Sequence, residues 1–311
     1  MFRIGQGDFA RMFKIDASEI PKLAKERLSS YDLTVRLANK TEFAEYVLNF
    51  LKLIDETRTY RSKEENLATF ERGWTENLLK LKGAGPESYE AALKPGYFRG
   101  SKFFRYNNEL VVTDNLHLEY ELFVIARLCL TYTYLRSSTV VYELGCGSCA
   151  NLLLLSKILP DAELVGLDWT KASSEIAGEL KHKTACPISG HVFDLMEPDK
   201  SLTLPEGTAL ISIHAFEQLG GSFGPALDFI LVSKPSIVIQ YEPVLEFYNG
   251  NNLLDYLSLS YCVKRNYLNG YYSKLLRLEK EKRIEILAAY RPYLGGVLHE
   301  SSVLVWKPLG R

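Results

Sequence analysis

The sequence predicts an α/β fold: a doubly wound, seven-stranded sheet whose last strand is antiparallel, preceded by a mainly helical N-terminal cap. Three observations carry this reading. From residue 139 onward, strand-like and helix-like runs alternate, the pattern of a parallel sheet covered by helices. The last two strand-like runs have no helical pattern between them, which reads as a closing antiparallel hairpin. Before residue 139 the apolar residues recur mostly at helical spacing. We therefore divide the chain into residues 1–115, the cap, and residues 116–311, the sheet domain.

The elements follow in order. Ser18 is placed to cap a helix running through Ile20, Leu23, Ala24 and Leu28, with Pro21 in its first turn. Phe43, Val47, Leu48, Leu51 and Ile54 mark a second helix over 41–57, and a third runs from 62 to 81 before the GAGP break. PGYFRG interrupts again, and RYNNELVV reads as a turn between short extended pieces. A helix over 116–135 leads into the sheet domain. Its strands are TVVYEL, AELVGL, GHVF, TALISIH, SIVIQY, RIEILAAY and SSVLVW, with helices at 151–158, 170–183, 223–232 and 253–264.

Composition narrows the function classes. A chain of 311 residues suits one large domain with a smaller addition, and 47% hydrophobic with 24% charged residues is ordinary for a globular protein. The 37 Lys and Arg nearly balance the 38 Asp and Glu without a basic run, so no nucleic-acid partner is expected. No stretch reaches about 18 uninterrupted apolar residues, so no membrane partner is expected either. The N-terminus lacks the apolar run of a signal peptide, and the five cysteines are scattered without paired zinc spacing. A reduced, cytoplasmic protein is the simplest reading, with a homodimer left open.

The most informative stretch is VVYELGCGSCANLLLLSKIL. A strand runs into Glu143-Leu-Gly145-Cys-Gly147 and a helix follows at once. Glycines there let the backbone turn sharply and approach a ligand, and free N–H groups at the helix start suit polar or anionic ligand atoms. AELVGLDWT places Asp168, followed by Trp169, at the end of the second strand, where an acid can accept both hydroxyls of a ribose. VFDLMEP ends the third strand at Asp194, which can accept an adenine amino group while Phe193 and Leu195 cover the ring. Together these residues outline an adenosine-shaped site at the carboxyl edge of the sheet.

With YELGCGSCAN, LVGLDW, VFDLMEP and the fourth-strand segment ISIHAFEQLG, the chain resembles the class I S-adenosylmethionine-dependent methyltransferases over roughly residues 138–311. The resemblance implies a Rossmann-like sheet of seven strands with a reversed last strand. It also implies S-adenosylmethionine as cofactor and S-adenosylhomocysteine as product. By it, Glu143, Gly145 and Gly147 line the methionine end, Asp168 takes the ribose, and Asp194 with Phe193 and Leu195 holds the adenine. Cys149 stands where many members carry a third glycine. The rival is a nicotinamide-dependent dehydrogenase, whose G-x-G-x-x-G is absent from GCGSCA. The Cys-x-x-Cys spacing of CGSC reads as buried packing cysteines inside the turn.

Methyl transfer needs an aligned nucleophile and a group to take its proton. Candidates sit at strand ends: His214 and Glu217 after the fourth strand, Glu242 and Glu246 after the fifth, Tyr267 in RNYLNGYY, and His299 and Glu300 before the last. His214, Glu242 and His299 are the catalytic candidates. Glu217, Glu242, Glu246, Tyr267 and Glu300 are the substrate-binding ones, and His214 also borders the cofactor. Each has a plain structural role as its competitor. So many carboxylates suggest a small acceptor carrying an amine or guanidinium, held by Glu217, Glu242 and Glu300. A sugar or phenol hydroxyl with a histidine base is the alternative, and a non-catalytic cofactor-binding regulator a third reading. Phe103, Phe104 and Tyr106 are candidates for acceptor contact from the cap. No metal-ligand cluster is visible in the sequence, so no metal is expected.

Overall fold

The computed structural model describes residues 1–58 and 62–310. The N-terminal region runs β1 (Phe2–Arg3), α1 (Gln6–Phe13), α2 (Lys22–Ser30), β2 (Thr34–Leu37), α3 (Lys40–Glu56), α4 (Lys63–Gly83), α5 (Tyr89–Leu93), β3 (Phe103–Tyr106) and β4 (Glu109–Val112). It is mainly helical, as the spacing predicts, but it also carries a sheet the sequence reading did not foresee. β1, β2, β4 and β3 pair antiparallel in that order. The predicted RYNNELVV turn is its tightest hairpin, with Asn107 and Asn108 in the left-handed region. The helix expected from Ser18 begins instead at Lys22, with Pro21 as its N-cap. Proline has no N–H to give and is easily placed at a helix start, so the chain before it forms a separate turn, in which Asp16 accepts from the Ser18 N–H.

The second part runs α6 (Leu118–Leu135), β5 (Val140–Leu144), α7 (Ala150–Ile158), β6 (Glu163–Asp168), α8 (Lys171–Thr184), β7 (Ile188–Val192), β8 (Ala209–Ile213), α9 (Gly224–Ser233), β9 (Ile237–Glu242), α10 (Leu253–Lys264), α11 (Tyr271–Lys280), β10 (Ile284–Tyr290), β11 (Leu294–Gly295) and β12 (Ser302–Pro308). The large sheet is ordered β10-β12-β9-β8-β5-β6-β7. β7, β6, β5, β8 and β9 are parallel, and β12 runs antiparallel to both β9 and β10. This is the doubly wound, seven-stranded sheet with a reversed last strand.

Strand periodicity divides the core between the two faces of this sheet. Val141, Leu164, Ile211, Val303 and Val305 join α6, α7 and α8 on one face. Their neighbours Tyr142, Val165, Leu210, Leu304 and Trp306 join α9 and α11 on the other. The first cluster continues without a break into Ile4, Phe9, Leu28 and Leu81 of the N-terminal region. A third cluster packs α3 and the small sheet against α10 through Tyr46, Phe50, Phe103 and Leu257. β11, on the excursion between β10 and β12, pairs with β3 and so completes the small sheet from the far end of the chain.

Candidate active site

The order of the large sheet reverses between β5 and β8. Helices leave these two strands toward opposite faces, which opens a crevice at their carboxyl ends. A cavity of about 300 Å³ lies there. Gly145 and Gly147 form its floor, at φ +73° and +51°. A side chain at Gly145 would meet the Ala215 Cβ at 2.3 Å, and one at Gly147 would meet the Trp74 ring at 2.8 Å. Both positions thus combine a left-handed backbone with a close approach, the two conditions that require glycine.

The predicted adenosine residues gather at this cavity. Asp168, Trp169, Phe193, Asp194 and Leu195 all line it. Asp168 is held rigidly: one carboxylate oxygen accepts the Gly147 N–H at 2.9 Å, and the other accepts the Thr170 N–H at 2.9 Å and its hydroxyl at 2.7 Å. Burial nevertheless pushes its pKa up. Asp194 pairs with Lys63 at 2.6 Å and accepts the Met196 N–H at 2.8 Å. Glu143 is different. It is fully buried behind the glycine turn and is not among the cavity-lining residues. One of its oxygens accepts from Asn151, which is itself bonded to Arg127, while Oε2 has no partner among the described residues. Burial pushes Glu143 up to about 8. Cys146 packs against Gly166, and the Cys149 thiol meets the Ser173 carbonyl at 3.4 Å, so both cysteines of the turn are in packing positions.

The candidate catalytic residues separate into two groups. His214 ends β8 with φ +56°, and this turn leads the chain into a short 3-10 segment, Phe216–Leu219. His214 lines the cavity. Its Nδ1 meets Glu217 Oε2 at 3.0 Å, and its Nε2 meets the Ser301 hydroxyl at 2.7 Å. The Gln218 amide donates to the other Glu217 oxygen at 2.8 Å. His299 packs 5.6 Å from the His214 ring and its Nδ1 is buried without a partner among the described residues. Burial lowers both histidines to about 4 and raises Glu217 to about 7. His214, Glu217 and His299 each bring a donor atom within 4.8 Å of the others. The sequence reading expects no such cluster, because 85 positions separate the two histidines (299 − 214), which meet where the segment before β12 comes beside the end of β8 across β9.

The remaining carboxylates hold the protein together. Glu242 is fully buried and accepts from the Ser212 hydroxyl at 2.6 Å and from the Ala215, Phe216 and Glu217 amides, each at 3.1 Å. It thereby satisfies the free N–H groups where the 3-10 segment begins. Glu300 accepts from Arg291 at 2.7 Å, and Arg291 also pairs with Asp255 of α10. Glu246 is exposed and accepts the Ser273 N–H in the first turn of α11 at 3.2 Å. Tyr267 is buried edge-on against His299 at 5.9 Å. Phe103, Phe104 and Tyr106 are buried in the small sheet and do not line the cavity. The cap instead reaches the cavity through α4: Lys63, Asn66, Phe70 and Trp74 line it, as do Arg58, Gln218, Arg265 and Asn266 elsewhere. The one sequence signal for the α4 wall is the Phe70–Trp74 pair at helical spacing, which equally describes a core stripe.

Neither a family model nor a curated protein matches the sequence. Solved structures do resemble the chain in shape. An O-methyltransferase from neocarzinostatin biosynthesis, in complex with S-adenosylmethionine and 2-hydroxy-5-methyl naphthoic acid, is 14% identical with a TM-score of 0.42, over 98% of this chain and 89% of that one. The plantazolicin methyltransferase in complex with S-adenosylhomocysteine is 12% identical with a TM-score of 0.43, over 78% and 98%. A protein from Pyrococcus horikoshii OT3 is 16% identical with a TM-score of 0.45, over 63% and 94%.

Proposed function

We propose that this chain binds S-adenosylmethionine and transfers its methyl group to an oxygen of a small hydroxylated acceptor. The observation that carries this reading is one cavity, at the switch point of the sheet, that joins the Gly145–Gly147 turn, Asp168, Phe193 and Asp194 to His214. The residues fit the cofactor. Asp168 lines the cavity with one acceptor site of its Gly147-bonded oxygen to spare for a ribose hydroxyl, the Phe193 and Leu195 side chains offer apolar cover for a ring, and the left-handed glycines leave backbone close to the ligand. Bound there, S-adenosylmethionine supplies a methyl group on a sulfonium sulfur. The chain's own contribution is to exclude water under α4 and to present the His214–Glu217 pair to the acceptor's hydroxyl proton.

A hydroxyl acceptor is favoured over a cationic one. The carboxylate cage suggested by the sequence needs Glu242 and Glu300, but Glu242 spends both oxygens on protein donors, Glu300 pairs with Arg291, and neither is among the cavity-lining residues. Glu217 alone remains near it.

Calorimetric titration with S-adenosylhomocysteine, with NADH as control, tests the cofactor. Binding of the first and none of the second is expected, with affinity falling at least about tenfold in Asp168→Ala, which removes one charged hydrogen-bonding group. Leu195→Arg, on the cavity wall, gives a second variant should Asp168→Ala unfold. A chain that ignores S-adenosylhomocysteine, or prefers NADH, ends the methyltransferase reading.

A further inference from the structure

We propose that His214, Glu217 and His299 form a binding site for a first-row divalent transition-metal cation, zinc being the best match to the donors. One donor atom from each side chain lies within 4.8 Å of the other two. Two imidazoles and one carboxylate are the three-protein-ligand set that holds zinc with a fourth position left for water or substrate. Nitrogen donors of this kind favour such ions over magnesium or calcium, which take all-oxygen shells.

The surroundings are arranged as they are around metal ligands. Gln218 fixes one Glu217 oxygen, which leaves Oε2 turned toward His214. The Ser301 hydroxyl fixes His214 Nε2, which leaves Nδ1 turned toward Glu217. Each of these two side chains thus has its far atom anchored and its near atom presented, the role outer partners play in orienting ligands. His299 completes the set from the other side, between the Tyr261 and Tyr267 rings. Its Nδ1 is buried without a hydrogen bond among the described residues, an uncommon state for a buried polar atom. A tetrahedral ion about 2.0–2.1 Å from each donor holds its donors roughly 3.3 Å apart. Ion binding would therefore require the three side chains to draw closer than the 4.8 Å limit within which they lie.

His214 carries the cluster to the cavity wall, so the open position would face the acceptor. What the ion does for the reaction rests on the methyl-transfer reading; the ion site itself does not. With the ion bound, His214 and Glu217 would serve as its ligands in place of taking the proton: an acceptor hydroxyl in the open position would be acidified by the cation, and its proton would pass to water as oxygen bonds to the methyl carbon and the carbon–sulfur bond breaks.

The test is titration of chelator-treated full-length protein with Co2+, followed by visible absorption, and with Zn2+ by calorimetry. One ion per chain is expected, with the cobalt bands of a four-coordinate site. His299→Ala and Glu217→Gln should each weaken binding by at least about tenfold, the lower end of what loss of an outer partner alone brings. His182→Ala, at an exposed position of α8, should change nothing. If Glu217→Gln does not fold, His299→Ala, whose Nδ1 has no partner to lose among the described residues, decides alone. No binding by the parent protein would overturn the proposal and leave a hydrogen-bonded cluster. So would binding that both variants retain, which would place the ion elsewhere. S-adenosylhomocysteine titrated into the same samples separates the two readings, because either site can be present without the other.

Discussion

Single residues here do two kinds of work that their identity alone does not distinguish. Glu143, Asp168, Asp194 and Glu242 all end strands of the parallel sheet or lie next to their ends, where acids in open α/β folds meet ligands. Asp168 and Asp194 do line the cavity, whereas Glu242 turns inward to receive amides and Glu143 is buried behind the turn. The difference lies in what each oxygen finds within hydrogen-bond reach, and that depends on neighbours distant in sequence. Glu143 gives a measurable consequence. Burial raises its pKa from 4.5 to about 8, so folding takes up a proton at this site. Its contribution to stability is therefore complete below its unfolded pKa and is lost as pH rises through the folded one. Glu143→Gln, which cannot ionise, should leave the melting temperature near pH 4.5 almost unchanged and raise it relative to the parent near pH 9. An equal shift at both ends of a differential scanning calorimetry series would show that the residue acts through packing instead.

Among the elements, α4 joins the N-terminal region to the cavity at the sheet's switch point. Its Glu71 carboxylate accepts the Lys171 and Ala172 amides, at 2.9 and 3.0 Å, in the first turn of α8. A carboxylate at a helix N-terminus satisfies free donors and meets the positive end of the helix dipole. Lys63 adds the Asp194 pair near the start of α4, and Trp74 closes over Gly147. Glu71→Ala should lower stability by about 0.5–2 kcal/mol. It should also speed amide exchange in α4 while the central strands keep their protection. Exchange that rises equally in β5 and β8 would mean that α4 is no separate unit. Helices α3, α4 and α6 to α10 were legible from apolar runs and spacing, and in four of them a side-chain cap agrees: Asn39, Ser62, Thr170 and Asn252 cap α3, α4, α8 and α10 as acceptors. α11 was missed although Tyr271, Leu275 and Leu278 stand at helical spacing. Its entry is Gly270 in a left-handed turn, with no side-chain cap to mark the start.

The whole molecule is tied together at both ends. Core residues of the N-terminal region and of the large sheet belong to one cluster, and β11 carries the far end of the chain back to β3. Residues 116–311 produced alone would expose the apolar faces that Phe9, Leu28, Leu81 and Phe104 cover. That fragment should be insoluble or melt without a cooperative transition, as judged by thermal circular dichroism. A soluble fragment with a sharp transition would establish residue 116 as a true domain boundary. The seven strands, their alternation with helices and the glycine turn are all written in local pattern, because strand and helix periods and the left-handed turn depend on near neighbours in sequence. Asp168, Phe193 and Asp194 were legible for the same reason: each sits at a strand end that the pattern locates. The small sheet, the α4 wall and the meeting of His214 with His299 arise from contacts between segments tens to hundreds of residues apart. Such pairings are chosen by packing of the assembled core, where a two-residue strand such as β11 is held by its partner and by nothing in its own composition.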